Sequence, residues 1–451
     1  MLEKQLQASL DRRQQRGTLR RLTTFQTRGP TALSDFSSND YLSLARHVGV
    51  RGAFTKRMES LDEPLLGSTG SRLLDGNSPE HEGLERRLAA HMGASTALLF
   101  NSGYDANSSL LAVLPQPDDW IIYDELVHAS VHDGMRASRT RKERRISLPH
   151  NDMDHLRHLL ASGAISIESE DVNVFVAVES VYSMDGDLCP LQDLVDVVDA
   201  HLNRSQRCVI VDEAHGVGMY GRQGAGLCNE LDISQRIDVR LATFGKAIGT
   251  SGAAVLCSHI VRQFLINYAR PLVFSTALPY PILHAVHAAL DILEVPRSRE
   301  ELVDRTFDNT QRLLNGFEAL AAQRDSTYHV QLPVDIVNAQ AVRRRATNHV
   351  PRPSPIVPLL TPRARELAAH LVEHGFLVRP ICYPTVPKGK ERVRICVHAH
   401  NSAAEVQGLV DCVAKWLWLA SPTTEQPRSL PRQSEHSSMA AASASPLRTK
   451  L

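Results

Sequence analysis

The chain has 451 residues, 43% hydrophobic and 22% charged, enough to bury a large core and form two or three domains. Lysine plus arginine and aspartate plus glutamate each number 50, so the formal net charge is zero and no global field draws nucleic acid or an anionic membrane to the surface. No stretch approaches the roughly 18 apolar residues of a membrane span, and the N-terminal MLEKQLQASLDRRQQRGTLRRL lacks an apolar core, so neither membrane insertion nor secretion is expected.

Residues 1–45 read as an N-terminal arm, polar and basic, with Leu2, Leu6 and Leu10 at helical spacing and a turn-rich end, SDFSSNDYLSL. Over residues 46–295 short β-branched runs alternate with amphipathic segments: TALLF, DDWIIYD, VNVFVAVES, RCVIVDEAH, VRLATFGK and GAAVLCS. That alternation predicts βαβ units and a mainly parallel sheet, whose strands are buried on both faces and so read as unbroken apolar runs. Residues 296–420 predict a smaller α+β domain, with strand candidates YHVQL, SPIVPLL, FLVRPI and RVRICVH. From Ser421 to Leu451 the chain is rich in Ser, Pro and Ala and is expected to be a disordered tail. The seven cysteines (Cys189, Cys208, Cys228, Cys257, Cys382, Cys396, Cys412) lie in apolar stretches without a Cys-x-x-Cys pair, and read as reduced core thiols of an intracellular protein. No metal site is expected.

The chemistry gathers at strand ends. In TFGKAIG, Lys246 follows a buried strand among apolar and small residues; such an amine is desolvated, its pKa falls, and it becomes able to form an imine. Taken alone, a lysine leaving the sheet for solvent is the commoner explanation of the segment. In VIVDEAHGVG, Asp212 closes an apolar strand at the edge where open α/β sheets bind ligands, and its carboxylate suits a cationic ring nitrogen. His215 is placed to orient a phenolic oxygen or a carbonyl. A capping carboxylate and a structural histidine are the plain alternatives.

FNSGYDANSS turns into a helix, and Ser102, Gly103 and Tyr104 offer donors at its N-terminus, where unpaired N–H groups and the helix dipole favour a phosphate. His128 in YDELVHAS follows a strand and is placed to lie against an aromatic ring; Glu179 and Ser183 in VESVYSMDGDLCPL close another strand; Ser275 and Thr276 in FSTALP carry hydroxyls that suit a phosphate. Singly, each reads as a polar residue satisfied locally.

Together these segments, with GSTGSRLLDGNSPEHEGLE and HNDMDHL, resemble the α-oxoamine synthase family of pyridoxal phosphate (PLP) enzymes, and the likeness runs from about Asp35 to Val406. The resemblance implies the type I PLP-dependent aminotransferase fold: an α/β large domain with a mainly parallel, seven-stranded type of sheet, and a smaller C-terminal α+β domain. It implies PLP bound through Lys246, which then takes the α-proton of an amino acid. It also implies Asp212 at the pyridinium nitrogen, His128 stacked on the ring, His215 at the phenolic oxygen and Ser183 beside the ring. Ser102, Gly103, Tyr104 and Thr243 would hold the phosphate, with Ser275 or Thr276 donated across a homodimer interface, and Arg394 would hold the substrate carboxylate.

The implied reaction joins an amino acid to an acyl-CoA with loss of CoA and carbon dioxide. For the fungal biotin-pathway members that the motifs most resemble, the pair is L-alanine and pimeloyl-CoA. Relatives in secondary metabolism join other acyl groups or amino acids. Arg21, with Arg16 and Arg20 on the arm, is a candidate partner for a distal carboxylate on the acyl chain, against the plainer reading of a solvated basic face. The basic run from Arg136 to Arg145 is expected to be mostly solvated surface, and NAQAVRRRATNHVPRPSP reads as a long linker. Thr449-Lys450-Leu451 is one residue from the peroxisomal Ser-Lys-Leu signal, which leaves peroxisome and cytosol both open.

Overall fold

The computed structural model describes residues 1–26, 29, 32–61, 65–166, 171–322, 330–345 and 350–419. The tail read as disordered, with its terminal Thr449-Lys450-Leu451, lies outside the described residues.

Twelve strands are present among the described residues: β1 (Ser34–Asp35), β2 (Thr96–Phe100), β3 (Trp120–Asp124), β4 (Arg145–Leu148), β5 (Val174–Glu179), β6 (Arg207–Asp212), β7 (Val239–Thr243), β8 (Ala253–Cys257), β9 (Ile356–Leu360), β10 (Phe376–Leu377), β11 (Arg379–Ile381) and β12 (Arg392–Cys396). Seven form one sheet in the order β2-β8-β7-β6-β5-β3-β4, parallel throughout except for β8, which runs antiparallel to both neighbours. Every residue of β2, β5, β7 and β8 is buried, which is why these strands read as unbroken apolar runs. One apolar cluster, with Leu99, Val176, Val178 and Val211, covers one face of the sheet. A second, with Leu98, Phe100, Ile210 and Leu241, covers the other. Each fully buried Val, Leu or Ile contributes about 1.5–3 kcal/mol, so this double cover fixes the strand directions and aligns the carboxyl ends of β2, β3, β5, β6 and β7 on one edge.

A three-stranded antiparallel sheet, β11-β12-β9, carries its own apolar cluster, which includes Val357, Leu359, Val393 and Ile395. The long helix Pro296–Ala322 spans the two parts: Val303 and Phe307 pack into the first cluster, Leu313, Leu314 and Phe317 into the small-sheet cluster.

Four local readings change. The end of the arm is built into both cores, with Phe36 in the small-sheet cluster and Tyr41, Leu42 and Leu44 in the large one. β4 emerges at the end of the basic run; it is a four-residue edge strand, too short and too charged at Arg145 for the alternation to reveal. The candidate strand YHVQL leaves one bridge, Gln331 to Leu360, within the described residues. The segment read as a linker supplies the end of a helix, Val334–Arg345, that buries Ile336 and Gln340. Over the described residues, no helix is long and apolar enough to cross a membrane, and all seven cysteines are free thiols.

Candidate active site

Along the common carboxyl edge, a cavity of about 280 Å³ is lined by residues from five of these strand ends and their following turns. It brings together Ser102, Gly103, Tyr104, His128, Glu179, Ser183, Asp212, His215, Thr243 and Lys246, and adds Asn39, Asn107 and Ser251.

The turn after β2 enters helix Gly103–Val113, where Ser102 is the N-cap and its hydroxyl accepts from the Asp105 N–H at 3.0 Å. Gly103 presses against Thr243 so closely that a Cβ would collide with the threonine methyl, which leaves the backbone at this helix start bare toward the cavity. That is an anion cradle of the kind a phosphate occupies.

β5 and β6 lie in register at Glu179 and Asp212, so their carboxyl groups leave the sheet side by side. Asp212 is held from two directions: Asn107 Nδ2 donates to Oδ2 at 2.7 Å and the Ala214 N–H donates to Oδ1 at 2.9 Å. Glu179 has a buried Oε1 without a partner, and burial together with the neighbouring Asp212 charge pushes its carboxyl up to about 8. Asn107 Oδ1 is a second buried acceptor without a donor.

Lys246, on the turn after β7, is part-buried. Desolvation pulls its amine below the usual lysine range, against the opposing pull of Asp212 and Glu179. His128 caps helix Ala129–Ala137; the Ser130 N–H donates to its Nδ1 at 3.2 Å, so that nitrogen is the unprotonated one. Burial lowers its pKa, and the ring is neutral. His215 is buried and held neutral, well below its ordinary value, by desolvation and by the Lys246 and Arg394 cations. Its Nδ1 is 2.6 Å from the hydroxyl of Tyr41, which also reaches Asn39 Oδ1 at 3.2 Å.

Arg394, on β12, donates through Nη2 to the same Asn39 oxygen at 2.9 Å, while its Nε is buried without an acceptor. A guanidinium fixed on one side and unpaired on the other, close enough to Lys246 to lower its pKa, is suited to a carboxylate ligand.

Three predicted residues stand elsewhere. Ser275 and Thr276 are exposed and do not line this cavity; the Thr276 carbonyl accepts from Asn101 Nδ2 at 2.8 Å. Arg21 is exposed on an arm that lies against the small sheet, where Arg379 sits over the Phe25 ring and donates to Thr23 Oγ1 at 3.4 Å. Asn39 and Tyr41 were not identified from sequence. They lie in SDFSSNDYLSL, where only their turn-forming chemistry shows. Asn107 sits inside FNSGYDANSS, in the second turn of the helix that Ser102 caps.

An amine with lowered pKa, a held carboxylate, a neutral histidine and a bare helix N-terminus, with buried acceptors left over, form a donor set that fits PLP. Fold and site together define a PLP-dependent enzyme of the type I aminotransferase fold.

The family model for aminotransferase class I and II matches residues 31–413. The chain is 42% identical over 421 residues to an 8-amino-7-oxononanoate synthase of Emericella nidulans, covering 92% of this chain and 96% of the relative. It is 36% identical over 390 residues to the aminoacyl transferase sphA of Byssochlamys spectabilis, covering 84% and 80%. A serine palmitoyltransferase from S. paucimobilis, solved with a PLP–myriocin adduct, shares the fold with a TM-score of 0.75 at 22% identity, covering 93% of this chain and 99% of the other. The chain belongs to the aminotransferase class I and II family, in its α-oxoamine synthase branch of PLP-dependent acyltransferases.

Proposed function

We propose that this enzyme condenses L-alanine with pimeloyl-CoA, releasing CoA and carbon dioxide and giving 8-amino-7-oxononanoate for biotin synthesis. The likeness to the Emericella nidulans synthase across 96% of that protein's length supports this pair of substrates. The observation that carries a carboxylate-bearing amino substrate is the buried Nε of Arg394, which has no acceptor, on a guanidinium close enough to Lys246 to lower its pKa.

When bound, PLP supplies an electron sink that lets a bond at the amino acid α-carbon break heterolytically. Lys246 would hold it, with Asp212 at the ring nitrogen, His128 and Ser183 beside the ring, His215 at the phenolic oxygen, and Ser102, Gly103, Tyr104 and Thr243 at the phosphate. Desolvation lowers the pKa of Lys246 and so eases the loss of its proton, which suits Nζ to accept the proton leaving the α-carbon. Arg394, steadied by Asn39, would hold the α-carboxylate and so set which α-bond faces Lys246. Tyr41 orients His215 through the 2.6 Å contact. The chain would work as a homodimer, with the exposed Ser275 and Thr276 reaching a neighbour's phosphate, and Arg21 would meet the distal carboxylate of the acyl chain on closure of the arm.

A second substrate pair is favoured by the 36% identity to the aminoacyl transferase of Byssochlamys spectabilis: another acyl group joined to alanine, glycine or serine. Thiol release from a panel of acyl-CoAs with each of these amino acids, using PLP-loaded enzyme, separates the two. Release confined to pimeloyl-CoA and L-alanine supports the proposal; efficient turnover of another pair overturns it.

A further inference from the structure

The helix Ala364–Glu373 ends with His370 near its last turn and His374 just beyond it, four residues apart and therefore on one face. The helix Ala403–Leu419 packs beside it and presents Cys412 to the same point. One ligating atom from each of the three side chains lies within 4.8 Å of the other two. Around a tetrahedral zinc ion, nitrogen and sulfur ligands stand about 3.3–3.6 Å apart, so small rotamer adjustments bring the set onto one centre.

The histidines are prepared for this. His374 Nδ1 lies 2.8 Å from the His370 carbonyl, and a carbonyl only accepts, so Nδ1 carries the proton and Nε2 keeps its lone pair. A backbone carbonyl that fixes the imidazole tautomer in this way is the usual outer support of a metal-bound histidine. His370 Nε2 is buried and makes no hydrogen bond of ordinary geometry, with only a loose contact between the ring and the Cys412 backbone, a state that costs free energy unless something fills it. The two rings stand 4.1 Å apart between centroids, tilted by 35°. Side by side they would repel if both were protonated, whereas two neutral rings and a thiolate suit one dication.

We propose that His370, His374 and Cys412 form a site for a divalent ion of the zinc class, tying these two helices of the small domain together. Two imidazoles and one thiolate are borderline-soft ligands that select zinc-like ions over magnesium or calcium. The exposed side, at His374, leaves a fourth position for water. Binding deprotonates the Cys412 thiol, and the proton passes to solvent as the metal–sulfur bond forms. None of the three residues lines the Lys246 cavity, so the role is structural. The three residues were not linked from sequence because Cys412 reads as an ordinary core thiol and lies far along the chain from the histidine pair.

The test is a cobalt titration of tag-free PLP enzyme, read by the red ligand-field absorption of tetrahedral Co²⁺, where PLP does not absorb. The expected result is an intense band saturating at one Co²⁺ per chain and bleached by added Zn²⁺, with binding weakened by about tenfold or more in both His374→Ala and Cys412→Ser, since even outer-shell losses cost about 10–100-fold. No saturating band in the wild-type enzyme overturns the proposal. So does a band that survives in both histidine variants, His370→Ala and His374→Ala, because cobalt would then be elsewhere. Should Cys412→Ser fail to fold, these two variants decide, since His374 is exposed and its replacement leaves the core intact.

Discussion

Two groups of carboxylates stand along the same edge of the large sheet, and the fold treats them in opposite ways. At the end of β3, Asp124 meets His150 Nδ1 at 3.0 Å, while Asp187, on the turn after β5, meets Nε2 of the same ring at 2.8 Å. Asp124 also accepts the N–H groups of Leu126 and Asn151, each at 2.8 Å. Burial opposes a charge on His150, but the two carboxylates outweigh it and push the imidazole up to about 10. One and two strands over, Glu179 and Asp212 have no such clamp. Glu179 keeps an unpaired oxygen, and the amine facing the pair is held below its ordinary pKa. A group of charges that the chain neutralises from within does structural work, here joining the turn after β3 to the loop that carries Ser183. A group left short of partners is where a ligand completes the balance.

The largest expected difference is in Lys246→Ala. Thiol release should fall by at least about 1000-fold, the scale of a lost general base, while in enzyme stripped of PLP the unfolding free energy changes by less than about 1 kcal/mol because the amine makes no hydrogen bond in the fold. A large loss of stability in thermal unfolding would break the contrast.

The reverse pattern is expected at the clamp. His150→Gln leaves the buried Asp124 and half-buried Asp187 carboxylates without their shared cation and should cost about 3 kcal/mol at pH 7, measured by denaturant unfolding. The folded pKa of about 10 lies above the 6.5 of the free group, so the stabilisation that His150 provides is complete below pH 6.5 and lost as pH rises through 10. The wild-type melting temperature should therefore decline over that window, and the variant should show a flatter profile.

Glu179→Gln should act with the opposite sign. The folded value of about 8 stands above the free 4.5, so wild-type stability from this group is full below pH 4.5 and lost as pH rises through 8. In enzyme stripped of PLP the substitution should stabilise the fold by about 2 kcal/mol at pH 8 and much less at pH 5, because it removes a buried charge that repels Asp212. Equal effects at both pH values would show that the carboxyl is not the titrating group.

The six strands of the large sheet visible in the sequence were legible because burial on both faces writes a continuous apolar run for each. β4 was not, because an edge strand with one covered face needs no such run. The site residues at the strand ends were legible because each stands where an apolar run stops, as at Asp212 and Lys246. Asn39 and Tyr41 were hidden by a segment whose local chemistry is that of a turn; what makes them part of the site is Arg394, more than three hundred residues away in the chain, which meets Asn39 at 2.9 Å.

The sequence wrote out locally the alternation of strands and helices and the chemistry stationed at the strand ends, since periodicity and residue type belong to short segments. It also carried the family likeness. Which of these polar groups are satisfied and which are not depends on how the chain folds. The register that sets Glu179 beside Asp212, the clamp that uses up His150, and the free nitrogen of Arg394 each depend on partners that no local pattern specifies, because hydrogen bonding and desolvation belong to the folded surroundings of a group rather than to its neighbours in the chain.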